Sequence, residues 1–99
     1  MFRNGMRPVH PGEILREDYL VPLGMSATAL AKALNVPGQR INEIVRGRRS
    51  VTADTAMRLA RYFRGDARSW LNLQAAYDLR VAEIRDAKRI KREIAPAAA

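Results

Sequence analysis

SATALAKALNVPGQRINEIVRGRR, residues 26–49, carries small and apolar side chains at the positions where a helix-turn-helix needs them. Leu30, Ala31 and Leu34 form the inner stripe of one short helix, and Ile41, Ile44 and Val45 that of a second. Asn35 stands between them and tolerates the left-handed backbone of a tight turn. Val36 plugs the elbow. Ala31 lies where the helices come closest, and a larger side chain there would change the crossing of about 90–120° that lets the second helix project. Ser26 is a suitable N-cap, and Met25 with Leu30 can form a hydrophobic staple. Pro37 falls in the first turn of the second helix, and Gly47 is its natural stop after Arg46 has placed a cation at the negative end of the dipole. A helical hairpin with no DNA role shares the amphipathic pattern. Caps, turn, inner stripe and basic outer residues agreeing at once favour DNA binding.

The 99 residues make one domain, with 18 Lys and Arg against 10 Asp and Glu and a net charge of +8. Such a balance suits a polyanionic partner, nucleic acid first and a membrane surface second. No apolar run approaches the ~20 residues of a spanning helix, and MFRNGMRPVH lacks a signal-peptide core, so a cytoplasmic protein is expected. There is no cysteine, hence no disulfide framework, thiolate nucleophile or sulfur ligand for a metal.

Residues 1–9 read as a flexible N-terminal arm, residues 10–94 as the folded domain, and residues 95–99 as a disordered tail. A first helix is expected from His10-Pro11, with Ile14, Leu15 and Tyr19 inward and Pro22 as its end. Thr52 caps a fourth helix whose inner face is Ala56, Leu59, Ala60 and Phe63, closed by Gly65. Asp66 caps a last helix that runs to about Ile94, roughly 42 Å at 1.5 Å per residue and longer than so small a domain needs. That helix has two apolar sides: Trp70, Leu73, Tyr77, Val81 and Ile84 on one, and Leu71, Ala75, Leu79 and Ala82 on the other. One can cover the core and the other a partner, and the pattern does not say which does which. Beyond Ile84 a charged run, Arg85 to Glu93, fits either a solvated face or contact with an acidic partner or DNA backbone.

A second helix laid in the major groove presents Gly38, Gln39, Asn42, Glu43 and Arg46, with Arg40 beside them. Gln39 can read adenine, Glu43 can accept from cytosine, and Arg40 or Arg46 can reach guanine. Asn42 can alternatively hold a phosphate. Gly38 offers no side chain and reads little. Arg48 and Arg49 just past the helix, and Ser26 and Thr28 at the start of the preceding one, suit phosphates. Catalysis finds no constellation. His10 is the only histidine, and its place before a proline at a helix start suits a cap. Glu13 and Glu17 sit early in a helix, where acids favour the dipole. Asp78, Glu83 and Asp86 give no metal set, and no cofactor is expected.

HPGE before the first helix, RINEIV in the second helix of the motif, TADTAMRLA in the fourth helix and WLNLQAAYDL in the fifth together resemble the HigA/VapI antitoxins of the XRE (lambda-repressor-like) superfamily, over about residues 10–85. The resemblance implies an all-α, lambda-repressor-like five-helix domain with a long C-terminal helix. It also implies a homodimer that binds a palindromic operator in double-stranded DNA, represses its own operon and neutralises a RelE-like, mRNA-cleaving HigB toxin. Some relatives are solitary XRE-type repressors with no toxin. By analogy the dimer uses the last helix, which makes Trp70, Leu73, Tyr77, Val81 and Ile84 a mixture of core and dimer contacts. Ala27 stands where many such repressors carry a Gln that clamps a phosphate and the first base, so that contact is absent here.

Overall fold

The computed structural model describes residues 7–98, and these contain five helices and no strand. Helix α1 spans three consecutive segments, Pro11–Ile14, Leu15–Leu20 and Val21–Leu23; α2 is Ala27–Leu34, α3 Gly38–Val45, α4 Ala53–Phe63 and α5 Ala67–Glu93. Most of the expected arm, residues 1–6, lies outside the described residues, as does Ala99. Arg7 is paired with Glu13 at 2.7 Å, and Pro8 and Val9 are half-buried. Residues 94–98 are non-helical and exposed.

Pro22 does not end α1. The Leu15–Leu20 segment is wound as a π-helix, so Val21 N–H reaches back five residues to the Arg16 carbonyl. Pro22 has no N–H to place in this widened ladder. The helix therefore passes Pro22 to Leu23 and closes on Gly24, which is left-handed at φ 61°. Met25 N–H then bonds the Leu20 carbonyl at 2.9 Å.

Ser26 caps α2, its Oγ accepting from Ala29 N–H at 3.0 Å. Asn35 takes the left-handed turn at φ 60°, and Val36 N–H returns to the Ala31 carbonyl at 3.0 Å. Pro37 is the N-cap of α3 and not its first helical residue: its ψ of 142° is extended, and Gly38 begins the helix. Gly47 closes α3 as expected, at φ 73°, with its N–H on Ile44 O and that of Arg48 on Glu43 O. These two bonds satisfy carbonyls that a helix end leaves orphaned. Thr52 and Asp66 cap α4 and α5 through their side chains. At the end of α4, however, Arg64 and not Gly65 is left-handed, at φ 60°. Gly65 N–H instead supplies the bond back to Ala60 O.

One core joins the elements: Leu15 and Leu20 from α1, Leu30, Ala31 and Leu34 from α2, Ile41 and Ile44 from α3, Val51, Ala56 and Leu59 around α4, and Trp70 from α5. Tyr19 packs between Phe63 and Trp70, with ring centroids 4.7 and 5.3 Å away. His10 caps α1 as its sequence position suggests, Nδ1 accepting from Gly12 N–H at 2.8 Å, and its ring meets Tyr77 edge-on at 4.8 Å. Gln74 is buried in α5 and accepts from Val51 N–H at 2.8 Å, fixing the connector between α3 and α4. No buried side-chain nitrogen or oxygen among the described residues lacks a partner. The molecule measures 52 × 24 × 23 Å because α5 runs on past this core.

The inner side of α5 is thereby identified. Trp70 is a core residue of the protomer, and Leu73 packs against that core, as Leu71 does. Tyr77 is occupied by His10. Trp70, grouped by the sequence with possible dimer contacts, is only 4% exposed and has no surface to offer a second chain. Val81 is half-buried, whereas Leu79, Ile84, Ile90 and Ile94 are exposed. Among the described residues no helix is long and apolar enough to cross a membrane, and no group of three or more His, Asp or Glu could hold a metal ion.

Candidate nucleic-acid interface

Helix α3 buries Ile41 and Ile44 completely and turns Gln39 outward, with Arg40, Asn42 and Glu43 partly exposed beside it. Three contacts fix its attitude. Asn42 Nδ2 donates to Gly38 O at 2.9 Å and to Thr28 Oγ1 at 3.3 Å, tying the start of α3 to the start of α2. The N-terminal end of α1 lies across the end of α3, so closely that a side chain on Gly12 would overlap the Ile44 carbonyl. His10 packs on Gly47, the residue that stops α3.

The outward side chains are not independent readers. Glu43 accepts from Gln39 Nε2 through Oε2 at 2.9 Å and from Arg49 Nε through Oε1 at 2.7 Å. Hydrogen bonds from Gln39 and then Arg49 hold its carboxyl below the ordinary carboxylate range. A cytosine amino group would have to displace one of them. Arg40 Nη1 lies 2.7 Å from Asp54 Oδ2 on α4, and Arg58 Nε meets the same oxygen at 2.9 Å. Arg58 Nη1 also donates to the Leu34 carbonyl at 2.9 Å, so one chain of contacts joins the end of α2 to α4 and α3. Asp54 is held below its ordinary pKa by hydrogen bonds from Arg58 first and Arg40 second.

The sequence-predicted residues thus fall into groups. Ser26 and Thr28 stand exposed at the α2 N-terminus, although Ser26 Oγ is engaged as a cap and Thr28 Oγ1 by Asn42. Gln39, Glu43 and Arg49 form one hydrogen-bonded string, and Arg40 belongs to α4 as much as to α3. Arg46 and Arg48 are exposed and, among the described residues, have no ion-pair or hydrogen-bond partner through their side chains. Gly38 has ordinary room beside it: a methyl there would lie 4.0 Å from Asn42 Nδ2 and Thr28 Cγ2. Sequence reasoning passed over Asp54 and Arg58 as parts of this face. Their four-residue spacing signals the pair they make with each other, but nothing local signals Arg40, 14 residues from Asp54.

An exposed helix braced by two others, with guanidinium groups at both ends, can enter a groove and neutralise phosphates. Comparisons with known proteins agree with this geometry. The helix-turn-helix family model HTH_3 matches residues 15–70. The chain is 68% identical over 81 residues to virulence-associated protein I of Dichelobacter nodosus, covering 82% of this chain and 75% of that one. Among solved structures, it is similar to Pseudomonas aeruginosa antitoxin HigA with the higBA promoter, at a TM-score of 0.90 and 47% identity, covering 93% of this chain and all of the other. Antitoxin GraA in complex with its operator matches at a TM-score of 0.90 and 45% identity over the whole of both chains.

Proposed function

The chain belongs to the XRE-type helix-turn-helix family, and on that premise we propose that it is a HigA-type antitoxin, a dimer that binds its own operator and neutralises a RelE-like HigB toxin. The observation that carries the reading is α3 itself, solvent-facing and rigidly braced, in a chain of net charge +8 whose relatives of the same fold were solved on their promoter and operator. In this reading α3 lies in the major groove. Arg46, Gln39 and a released Arg40 face base edges, Arg48, Arg49 and the α2 N-terminus hold phosphates, and Asn42 serves chiefly to set the angle between the helices.

The exposed outer half of α5 supports a second copy as its cover. Leu79, Ala82, Ala87 and Ile90 line a shallow apolar groove beyond the protomer core, on the side of α5 that the sequence sets apart from Val81 and Ile84. Two-fold pairing would set two α3 helices one turn of DNA apart, about 34 Å, on a palindromic site. The chain acts by binding, without catalytic chemistry or a cofactor, in the bacterial cytoplasm. The test is a gel shift on the region upstream of its reading frame, together with coexpression of a neighbouring toxin-like frame. A retarded, palindrome-dependent band and relief of growth arrest are expected. Operator binding without rescue beside a true toxin would make the protein a solitary repressor. No preference for the upstream region would overturn the operator assignment.

A further inference from the structure

Between α3 and α4 lies a cleft of about 190 Å³ lined by Arg40, Arg49, Ser50, Thr52, Asp54 and Thr55. Two guanidinium groups, three hydroxyls and the N-terminus of α4 converge there, a set that attracts any phosphate. Yet each guanidinium already has an anion. Asp54 holds Arg40 at 2.7 Å, and Glu43 holds Arg49. We propose that Asp54 is a positioning residue for specificity: it stands in for phosphate on Arg40, so that non-cognate backbone must compete with a built-in carboxylate, whereas a correctly placed guanine displaces it. The proposal rests on the DNA-binding reading above.

The chemistry favours this exchange only where DNA offers more than a carboxylate does. A phosphate on random DNA gives Arg40 a monoanionic oxygen pair, much as Asp54 does, and must also approach the Asp54 charge. Guanine O6 and N7 take the guanidinium fork in two bonds and bring no charge toward Asp54. Arg58 keeps Asp54 in place throughout, because its second hand is fixed on the Leu34 carbonyl. Asp54 is more than half exposed and Arg40 about one quarter exposed, so the pair is open to exchange and is not buried in the fold.

The experiment measures full-length protein on its upstream duplex and on a scrambled duplex of equal length, across a salt series. Asp54→Asn frees Arg40 for one more phosphate on the scrambled duplex, which steepens the salt slope by about 0.9 and tightens binding up to about eightfold at 0.1 M salt relative to 1 M. Upstream-duplex affinity should change less, so discrimination falls. Asp18→Asn, an exposed α1 site carrying the same charge change, should leave the slope alone. In an Arg40→Ala background the effect of Asp54→Asn should vanish. Asp54→Ser, which keeps an acceptor near the free N–H groups of α4, should repeat the slope change even if Asp54→Asn proves less stable. A gain that persists without Arg40, or that Asp18→Asn reproduces, would show a mere charge effect. Equal weakening on both duplexes with the slope unchanged would show that the Arg40–Asp54 pair is a brace retained on DNA. If the unmutated protein fails to prefer its upstream region, only the operator reading falls, because the scrambled-duplex arm reads the release of Arg40 without it.

Discussion

Gly12→Ala should damage this protein more than any surface substitution, and its size follows from one contact. A methyl carbon built on Gly12 lies 2.6 Å from the Ile44 carbonyl carbon, 3.0 Å from Val45 Cα, and nearer still to the Ile44 oxygen. The 2.6 Å approach is about 1 Å short of the ~3.5–4.0 Å at which carbon atoms pack. The obstacle is helix backbone, which cannot rotate away as a side chain tip can. Helices α1 and α3 must therefore separate, which strains the His10 cap and loosens Leu15, Ile41 and Ile44, all fully buried. Overpacking alone costs about 1–3 kcal/mol. With the loosened core added, a loss of about 3 kcal/mol is expected, or a fall in Tm of roughly 12–24 °C for a domain this size. Gly65→Ala is the matched control, since a methyl there meets nothing within 4 Å and its backbone is not left-handed. It should be neutral or stabilise by up to about 1 kcal/mol. Thermal melts followed by circular dichroism, at one fixed protein concentration, decide between them. A Gly12→Ala protein that melts with the parent would refute the claim that this approach sets the attitude of α3.

Arg64→Gly should raise Tm by roughly 4–8 °C, because it relieves about 1 kcal/mol of left-handed strain at φ 60° without touching a paired side chain; a lower Tm would show that the arginine makes a contact worth more than the strain. Stability should also fall with acid through a single histidine. Burial is the main cause that holds His10 below its usual pKa of 6.5, against the opposing pull of Asp78 and the Arg49 carbonyl. The folded state then binds fewer protons than the unfolded one just below pH 6.5, so stability is full above that value and declines as pH falls toward the folded pKa. His10→Asn can still accept from Gly12 N–H but cannot titrate, and melts from pH 5 to 8 should lose this component of the slope. A pH dependence identical to the parent's would assign the effect elsewhere. On DNA, Arg48→Ala should weaken all sequences alike and lower the salt slope by about one unit, while Arg46→Ala should alter which base is preferred; the reverse pattern in salt-dependent gel shifts would exchange their roles.

The helix-turn-helix was legible in residues 26–49 because its determinants are local. Ser26, Asn35 and Gly47 act on backbone within a few residues of themselves, and each does what its chemistry implies. The misreadings are local as well, and have a common cause. Pro22, Pro37 and Gly65 each suit a boundary role that a neighbour performs: a π-turn carries α1 past Pro22, Gly38 starts the helix that Pro37 caps, and Arg64 takes the left-handed step. Propensity says which residue suits a turn, whereas core packing decides where the turn falls.

The open face of α3 was legible in which residues lie on it and not in how they are connected. Gln39, Arg40, Asn42, Glu43 and Arg46 lie on or beside the open side of α3 because Ile41 and Ile44 must lie on the closed one. What Asn42 and Arg40 can do depends on Thr28 and Asp54, each 14 residues distant from its partner, and no periodicity carries that information. A count of basic residues therefore overstates the cations ready for DNA. Arg40 and Arg49 must each surrender a bonded carboxylate before they can take a phosphate, while the side chains of Arg46 and Arg48 have, among the described residues, no hydrogen bond or ion pair to break. First encounter with DNA should accordingly run through Arg46 and Arg48 on charge alone, and commitment should come only where the bases repay Arg40 for leaving Asp54. Specificity on this surface is then set as much by the two acids, Asp54 and Glu43, as by the arginines they hold.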